Sequence, residues 1–248
     1  MIILFTDFGS DGPYVGQLHA VLHQRAVGVP VINLFSDAPS FNPRASAYLL
    51  AAYIDEFPKD SVFLCVVDPG VGTQTRKPVI VHADHYWFVG PDNGLFSVIT
   101  NRAAQVECLE ILWQPERLSD SFHGRDLFAP VAAMLATGSL PEHKAFDCSI
   151  NKQAWPGDLG EVIYIDHFGN AITGIRASTL PLGCRIMVNG QTIDYARTFG
   201  AAPVNTPFWY ANANGLVELA VPQGNAAHLL ECPVGTLIDV IRPTVVSP

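Results

Sequence analysis

Several common functional motifs are missing from this 248-residue sequence. It contains no nucleotide-binding P-loop, no GxSxG nucleophile elbow, no HExxH zinc motif and no glycine fingerprint of a dinucleotide-binding fold. It also lacks a Cys-x-x-Cys pair, and we identify no histidine pair at metal-ligand spacing on one helix, so we predict no zinc site. A carboxylate site for a divalent cation stays open as an alternative, with Asp7, Asp11, Asp68 and Asp126 as its candidate ligands.

Positive charge and long hydrophobic runs are also scarce. The chain has 14 lysines and arginines against 23 acidic residues, for a net charge of −9, and the basic residues form no cluster. Because nucleic-acid binding depends on neutralising phosphates, we predict no nucleic-acid partner. The apolar runs are too short to span a bilayer, so we predict no membrane partner either.

The N-terminus and the cysteines favour a cytoplasmic protein. Residues Met1–Asp7 have no basic region and turn polar early, so we expect a first strand and not a signal peptide. The cysteines are odd in number and widely scattered, and several lie in apolar stretches. We therefore expect reduced core residues and a cytoplasmic location; the five are Cys65, Cys108, Cys148, Cys184 and Cys232.

Length and composition predict a folded protein with one large domain or two modest ones, since 49% of residues are hydrophobic and 15% are charged. Strands alternate with helices over residues 1–155, which predicts an N-terminal α/β domain with a mostly parallel sheet. Proline and glycine cluster near residues 155–160. Short strands separated by turns follow over 160–248, which predicts a smaller, antiparallel, barrel-like C-terminal β domain.

The central feature of the sequence is the stretch 61–76. An apolar run of strand length ends at Asp68, and Pro69 and two glycines follow. An acid at the carboxyl end of a buried strand lies where open α/β sheets bind ligands. Arg76 then supplies a fixed positive charge eight residues after Asp68. The alternative is a structural ion pair next to a turn.

Two more segments carry polar chemistry. Residues 6–16 form a loop with two acids, three glycines and a proline, and residues 122–130 precede a predicted helix N-terminus, a favoured place for polar ligands. A structural alternative applies here too. His123 could be a core histidine, and Arg125 and Asp126 could brace the loop.

Six separated patches together resemble the S-adenosyl-L-methionine (SAM) hydroxide adenosyltransferases, also called SAM hydrolases, which are relatives of the bacterial fluorinase and chlorinase. The patches follow the family order over nearly the whole chain, so their combination is more specific than any single one. They are TDFGSDGPYVG (6–16), VVDPGVGT (66–73), VGPDNGLFS (89–97), FHGRDLFAPVAA (122–133), IDHFGNAIT (165–173) and NANGLVELAVPQGNAA (212–227).

The resemblance implies hydrolysis of SAM to adenosine and L-methionine by attack of water on the ribose C5′, without a metal or redox cofactor. It implies a homotrimer whose active sites lie at subunit interfaces. An Asp–Arg–His set should hold the water, and the matching residues are Asp68, Arg76 and His123. The substrate-binding residues implied are Asp7, Asp11, Tyr14, Asp166, Phe168, Asn170, Asn214 and Ala226.

The sequence departs from the family pattern at three places. The loop 73–76 is one residue longer than the commonest hydrolase spacing, although Lys77 is the only other nearby cation. Ala213 replaces a serine near the expected methionine carboxylate contact, and residues 33–37 lack the usual acid-and-histidine pattern. These differences indicate a divergent subgroup.

Other functions stay open at this point. A SAM-dependent halogenase is one. A halide, however, needs a desolvated pocket without a carboxylate, and Asp68 occupies the position at which fluorinases have tyrosine. A SAM- or nucleoside-binding module without turnover is another. Asp166 and Asn170 could also simply shape a hairpin turn.

Overall fold

The computed structural model of the protein describes residues 1–73, 76–147 and 155–243. The chain divides into two compact units, Met1–Trp155 and Pro156–Pro248. Each unit has its own cluster of buried hydrophobic side chains. Within the described ranges, no helix is both long and apolar enough to cross a membrane.

The described residues of the first unit form a seven-stranded sheet with the order β2-β1-β3-β5-β4-β6-β7, together with four α-helices. The strands are β1 (Ile2–Thr6), β2 (Val31–Phe35), β3 (Val62–Val66), β4 (Pro78–Ala83), β5 (Tyr86–Pro91), β6 (Val106–Ile111) and β7 (His143–Ala145). The helices are α1 (Tyr14–Arg25), α2 (Pro43–Tyr53), α3 (Ser97–Arg102) and α4 (Ala129–Ala136).

The α/β class of this unit is confirmed, but its sheet is mixed and not mostly parallel. Strands β2, β1, β3 and β5 run parallel, whereas β4 and β6 join antiparallel to their neighbours and β7 is antiparallel to β6. Strands β4 and β5 pair antiparallel because the chain between them is short. Only Asp84 and His85 separate β4 from β5, and a parallel pairing needs a crossover of a dozen residues or more.

Local sequence explains why the elements begin where they do. Both β1 and β3 are buried at every position, as expected for central parallel strands covered on both faces. Helix α2 starts where Asn42 accepts a hydrogen bond from the backbone N–H of Ala45 at 3.0 Å and Pro43 occupies the first turn. A short 3₁₀ turn then extends it to Glu56.

The second unit is a curled, seven-stranded sheet with the order β14-β10-β11-β12-β13-β9-β8. Its pairings are antiparallel except for β11 with β12. The strands are β8 (Leu159–Ile165), β9 (Ala171–Arg176), β10 (Arg185–Val188), β11 (Gln191–Tyr195), β12 (Phe208–Ala211), β13 (Leu216–Ala220) and β14 (Asp239–Ile241), and one short helix is α5 (Ala226–Leu229).

The two ends of this second sheet approach each other, which confirms the barrel-like prediction. The segment that leads into β14 returns to strand β8 at the opposite end of the sheet. Backbone hydrogen bonds of 2.8–2.9 Å join residues 235–238 to Gly160 and Val162. This closure satisfies backbone groups that an edge strand would otherwise expose.

The cysteine prediction is confirmed in part. Cys65, Cys184 and Cys232 are free and buried. Cys108 is disulfide-bonded, so the prediction that every cysteine is reduced is wrong for this residue. Cys148 lies outside the described residues.

Candidate active site

The carboxyl ends of two neighbouring parallel strands place two candidate acids at one edge of the sheet. Strands β1 and β3 pair in register, with Thr6 opposite Val66. Asp7 follows β1 directly, and its backbone N–H donates to the carbonyl of Val66 at 3.4 Å. Asp68 lies two residues beyond the end of β3. The sheet register therefore brings these two separated motifs together, as the position of ligand sites in open α/β sheets leads one to expect.

Asp68 and Arg76 form a buried, bidentate ion pair. The Nε and Nη2 groups of Arg76 donate to the two carboxylate oxygens of Asp68. The side chain of Arg76 is only 8% exposed and that of Asp68 only 4%. The backbone N–H of Gly70 also donates to Asp68 Oδ1 at 3.2 Å. Such a fork fixes both charged groups in one geometry, so the insertion in the preceding loop does not separate them; residues 74–75 of that loop lie outside the described part of the chain.

The glycine loop after Asp68 fits closely against a neighbouring loop. Gly72 has a φ of +78°, a region that residues with a side chain adopt at a cost. A Cβ placed on Gly72 would lie 2.7 Å from the carbonyl oxygen of Asp120. Glycine is thus required at this position for two independent reasons.

His123 stands directly before a π-helical turn, Gly124–Phe128, that leads into α4. Burial lowers the pKa of its imidazole, and the positive charge of Arg76 lowers it further, whereas the carboxylate of Asp68 acts in the opposite direction. The imidazole therefore remains neutral down to a lower pH than that of an exposed histidine, and in this neutral form it can accept a proton.

Arg125 and Asp126 hold the turn that follows His123. Arg125 Nε and Nη2 donate to the carboxylate of Asp126 at 2.6 and 2.9 Å, and its Nη1 donates to Gln17 of α1 at 2.8 Å. Asp126 also accepts from the backbone N–H of Ser119 at 2.8 Å. These contacts support the bracing role and not a catalytic one.

Asp7, Tyr14, Asp68 and His123 share one pocket of about 370 Å³. Burial raises the pKa of Asp7, although its carboxylate accepts a hydrogen bond from the backbone N–H of Phe41 at 3.0 Å. The other residues lining the pocket are mostly apolar: Phe8, Phe41, Val66, Val71, Ser121, Phe122 and Gly124.

Three aromatic rings form one side of this pocket. Tyr14 packs edge-on against Phe122, with ring centroids 5.1 Å apart, and Phe8 contacts both rings. Aromatic faces of this kind suit a planar base or an apolar ligand segment. Asp11 is exposed and is not among the described residues that line the pocket.

Phe41 is a pocket residue that sequence reasoning missed. Its side chain is 77% exposed, and its backbone has a φ of +57°. A large residue in this conformation is uncommon and costs free energy. The only sequence signal is its position directly before the Asn42-Pro43 start of α2, which predicts a turn but not a pocket.

The remaining candidates belong to the second unit. Asp166 Oδ1 accepts from the backbone N–H groups of Phe168 and Asn170 at 2.9 and 2.8 Å, and Oδ2 accepts from the Asn170 side chain at 2.9 Å. Asp166 therefore does shape the turn between β8 and β9. Phe168 is 73% exposed at the tip of that turn, whereas Asn170 is buried.

The same turn packs against the start of α5. Gly169 has a φ of +85°, and a Cβ there would overlap the side chain of Asn225. Its carbonyl accepts from Ala227 at 2.9 Å. Ala226, the first residue of α5, is fully buried. The structure thus brings the candidates Asp166, Asn170 and Ala226 into one cluster.

The described residues contain no group of three or more histidine, cysteine or acidic side chains that could hold a metal ion. His19 and His23 do lie four residues apart on α1, with ring centroids separated by 5.8 Å, so the prediction that no histidine pair has this spacing is wrong. Two imidazoles alone fall short of the ligand sets typical of zinc sites. Asp7 and Asp68 share a pocket, but no three of the four aspartates proposed for the alternative cation site form such a group.

Comparison with known proteins decides the family. The SAM hydroxide adenosyltransferase N-terminal domain matches residues 2–145, and the C-terminal domain of the same family matches residues 160–239. This chain belongs to the SAM hydroxide adenosyltransferase family. The family was expected from six sequence patches, and that prediction is confirmed.

Relatives of this family resemble the chain over nearly its full length. A protein of Thermus thermophilus named (R)-S-adenosyl-L-methionine hydrolase is 36% identical, over 97% of this chain and 99% of the relative. A protein of Salinispora arenicola with the same name is 35% identical, over 95% of each. The crystal structure of an uncharacterized conserved protein from Thermotoga maritima is 29% identical, with a TM-score of 0.84 over 98% of this chain and 100% of that one.

Proposed function

We propose that this protein hydrolyses SAM to adenosine and L-methionine, with Asp68, Arg76 and His123 around the attacking water. One observation carries the proposal. Three of the six family patches (6–16, 66–73 and 122–133), far apart in the chain, converge on a pocket that contains Asp7, Asp68 and His123, with Arg76 fixed on Asp68. Relatives named SAM hydrolases support the substrate.

The chemistry has one difficult part. The sulfonium of SAM is already a good leaving group, so catalysis must mainly place a weak nucleophile in line with the C5′–S bond. Positioning alone can supply several kcal/mol of the barrier. Water contributes the new C5′–O bond, the C5′–S bond breaks with its electron pair moving to sulfur, and one proton leaves the water.

Asp68 is suited to hold this water. Among the described residues, Oδ1 already accepts from Gly70 and Arg76, and Oδ2 accepts from Arg76 alone. A carboxylate oxygen has two lone-pair directions, which leaves one on Oδ2 for a water hydrogen. The nearby Arg76 charge favours hydroxide character, and the neutral imidazole of His123 can take the released proton.

The family resemblance assigns the ribose part of the substrate to Asp7, and the methionine and adenine parts to residues of the second unit. An ionised carboxylate can accept from both hydroxyls of a vicinal diol, so we assign the ribose to Asp7. We assign the methionine ammonium to Asp166, the adenine to Asn170 and Ala226, and the methionine carboxylate to Asn214. Tyr14 and Phe168 are the aromatic candidates for the adenosine part, and Asp11 stays a candidate in the same loop as Asp7.

A halogenase is disfavoured by the same geometry. The Asp68 carboxylate lines the pocket together with apolar Val71, and a negative charge repels a halide that must also lose its water. Arg76 partly compensates that charge, but its donors are directed at Asp68. We therefore favour water as the nucleophile.

The homotrimer with active sites at subunit interfaces is also a proposal, supported by the family resemblance. Light scattering of the purified protein tests it, and a monomeric mass would contradict it. The cytoplasmic location likewise stays a prediction.

The function can be tested with SAM in halide-free buffer that contains a chelator. We expect adenosine and methionine in equal amounts, with no change when the chelator is omitted and no halogenated product when chloride is added. A 5′-halo product would identify a halogenase, and loss of activity with chelator would favour the metal-dependent alternative. Tight SAM binding without any product would leave a binding module.

A further inference from the structure

One buried acid of the second unit has no role in the reaction described so far. Glu218 lies in the middle of strand β13, whose other residues are Leu216, Val217, Leu219 and Ala220. Glu218 is only 4% exposed to solvent. Burying a carboxyl group costs free energy unless hydrogen bonds replace those lost to water. The hydrogen bonds of Glu218 therefore indicate its structural role.

The Glu218 carboxyl is the start of a hydrogen-bond relay. The hydroxyl of Tyr210 donates to Oε1 at 2.5 Å, and the side-chain amide of Asn212 donates to Oε2 at 2.9 Å. The carbonyl oxygen of that same amide then accepts from the backbone N–H groups of Asn214 and Leu216, both at 3.0 Å. Glu218 thus fixes the orientation of Asn212, and Asn212 fixes the turn between β12 and β13.

The relay ends at a proposed substrate contact. Asn214, the candidate for the methionine carboxylate, lies in the turn that Asn212 holds. Gly215 of this turn has a φ of +78°, and its N–H donates to the carbonyl of Asn212 at 3.0 Å. The turn therefore depends on few bonds, and Asn212 makes most of them.

Glu218 also interacts with the other proposed methionine contact. Burial raises the pKa of Glu218, the hydrogen bonds from Tyr210 and Asn212 oppose this, and the charge of Asp166 raises it further. Strand β13 pairs with β9 with Glu218 opposite Ile172, and Asp166 lies in the hairpin that leads into β9, so the two carboxyls belong to adjoining parts of one sheet and repel each other. A cation bound at Asp166 would relieve that repulsion, and three of the lone-pair directions of Asp166 are already taken by its own hairpin.

We propose that Glu218 is a positioning residue for the methionine part of the substrate: its buried carboxyl orients the Asn212–Gly215 turn and adds negative charge behind Asp166. This inference rests on the proposed function, because it takes SAM as the ligand. It assigns Glu218 no contact with the reacting atoms. It predicts that the methionine end of SAM depends on Glu218, whereas the adenosine end does not.

Two substitutions separate the effect of the Glu218 charge from the effect of its hydrogen bonds. Glu218→Gln keeps the shape, and its amide can still bond both Tyr210, whose hydroxyl can rotate to accept, and Asn212. It removes only the charge. Glu218→Leu removes the relay as well. We expect KM for SAM and Kd for methionine to rise about threefold in Glu218→Gln and about thirtyfold in Glu218→Leu, since small displacements of a binding group carry effects of this order.

The matched control is Thr173→Val. Thr173 is fully buried on the neighbouring strand β9, and its hydroxyl donates to the carbonyl of Val217 at 2.9 Å. This variant also loses a buried hydrogen bond in the same sheet, but not one that reaches the turn. We expect its KM for SAM to stay within twofold of the wild-type value.

The experiment measures kcat and KM for SAM, Kd for adenosine and Kd for methionine, with thermal melts to verify folding. The inference predicts weaker methionine binding with unchanged adenosine binding in both Glu218 variants. Equal weakening of adenosine and methionine binding, or unchanged binding of both in a folded Glu218→Gln protein, would overturn it. Absence of SAM turnover by the wild-type protein would instead contradict the proposed function, and the selective loss of methionine binding would still decide the inference.

Discussion

The substitution Asp68→Asn tests the structural and catalytic roles of the buried ion pair in one variant. It removes the only charge that balances Arg76 in the bidentate contact, and both side chains are less than 9% exposed. Removing one partner of a buried pair costs about 3–5 kcal/mol, because the remaining charge is left without compensation. For a domain of this size that corresponds to a fall in Tm of roughly 6–20 °C.

Turnover should fall further than stability alone explains. The asparagine can still accept one hydrogen bond from water, but it cannot favour loss of the proton. Loss of a general acid–base contribution lowers kcat by about 10²–10⁴-fold. We expect KM for SAM to change less, since Asp68 holds the water and not the substrate.

A double variant separates the two effects. Asp68→Asn combined with Arg76→Met removes both charges, so we expect much of the lost stability to return while activity stays low. Thermal melts and single-turnover rates with SAM measure the two quantities. Wild-type turnover by folded Asp68→Asn protein would refute the catalytic role and leave a purely structural ion pair.

Three further predictions concern residues around the same pocket. His123 accepts a proton only when neutral, so activity should fall as pH drops through its pKa. Since the Arg76 charge contributes to lowering that pKa, Arg76→Met should raise it, and an NMR titration should show the upward shift; a downward shift would contradict this. Asp7→Asn should raise KM for SAM about tenfold with a smaller change in kcat, as expected if one charged hydrogen bond to the ribose is lost; a kcat effect alone would argue against ribose binding. Gly72→Ala should destabilise the protein by about 1–3 kcal/mol, because it combines a positive φ with a clash against Asp120, and an unchanged Tm would show that the loop has room.

Much of the fold was accessible from local sequence. The Asn42-Pro43 pair marks the start of α2, because it supplies a cap and a fixed φ, and the cap is observed. The buried strands β1 and β3 followed from their continuous apolar runs. In each case the signal lies within a few residues of the element it defines.

The mixed character of the first sheet was not accessible in the same way. Strands β4 and β5 are joined by Asp84 and His85, and Asp84 has a φ of +50°. Aspartate is a weaker hairpin signal than glycine, so the reversal of direction had no strong mark in the sequence. The short strand β7, with three exposed residues, has no apolar pattern at all.

Some residues of the candidate site could be predicted from the sequence, whereas others depend on contacts that form only in the folded protein. Asp7, Asp68 and His123 carry the family pattern, so their convergence could be predicted. Phe41 reaches the pocket through its backbone bond to Asp7, a contact across 34 residues. In the sequence, Glu218 is one acid within an apolar segment, and its hydrogen bonds to the β12–β13 turn depend on strand pairing that only the folded sheet shows.

Oxygen labelling is the most direct test of whether water held by Asp68 attacks C5′ of SAM. The protein is incubated with SAM in H₂¹⁸O, and the adenosine formed is analysed by mass spectrometry. We expect one ¹⁸O in the 5′-hydroxyl of adenosine, one equivalent of unlabelled methionine, and formation of both products slowed by about 10²–10⁴-fold in Asp68→Asn. Unlabelled adenosine, or cleavage of SAM at a bond other than C5′–S, would contradict it.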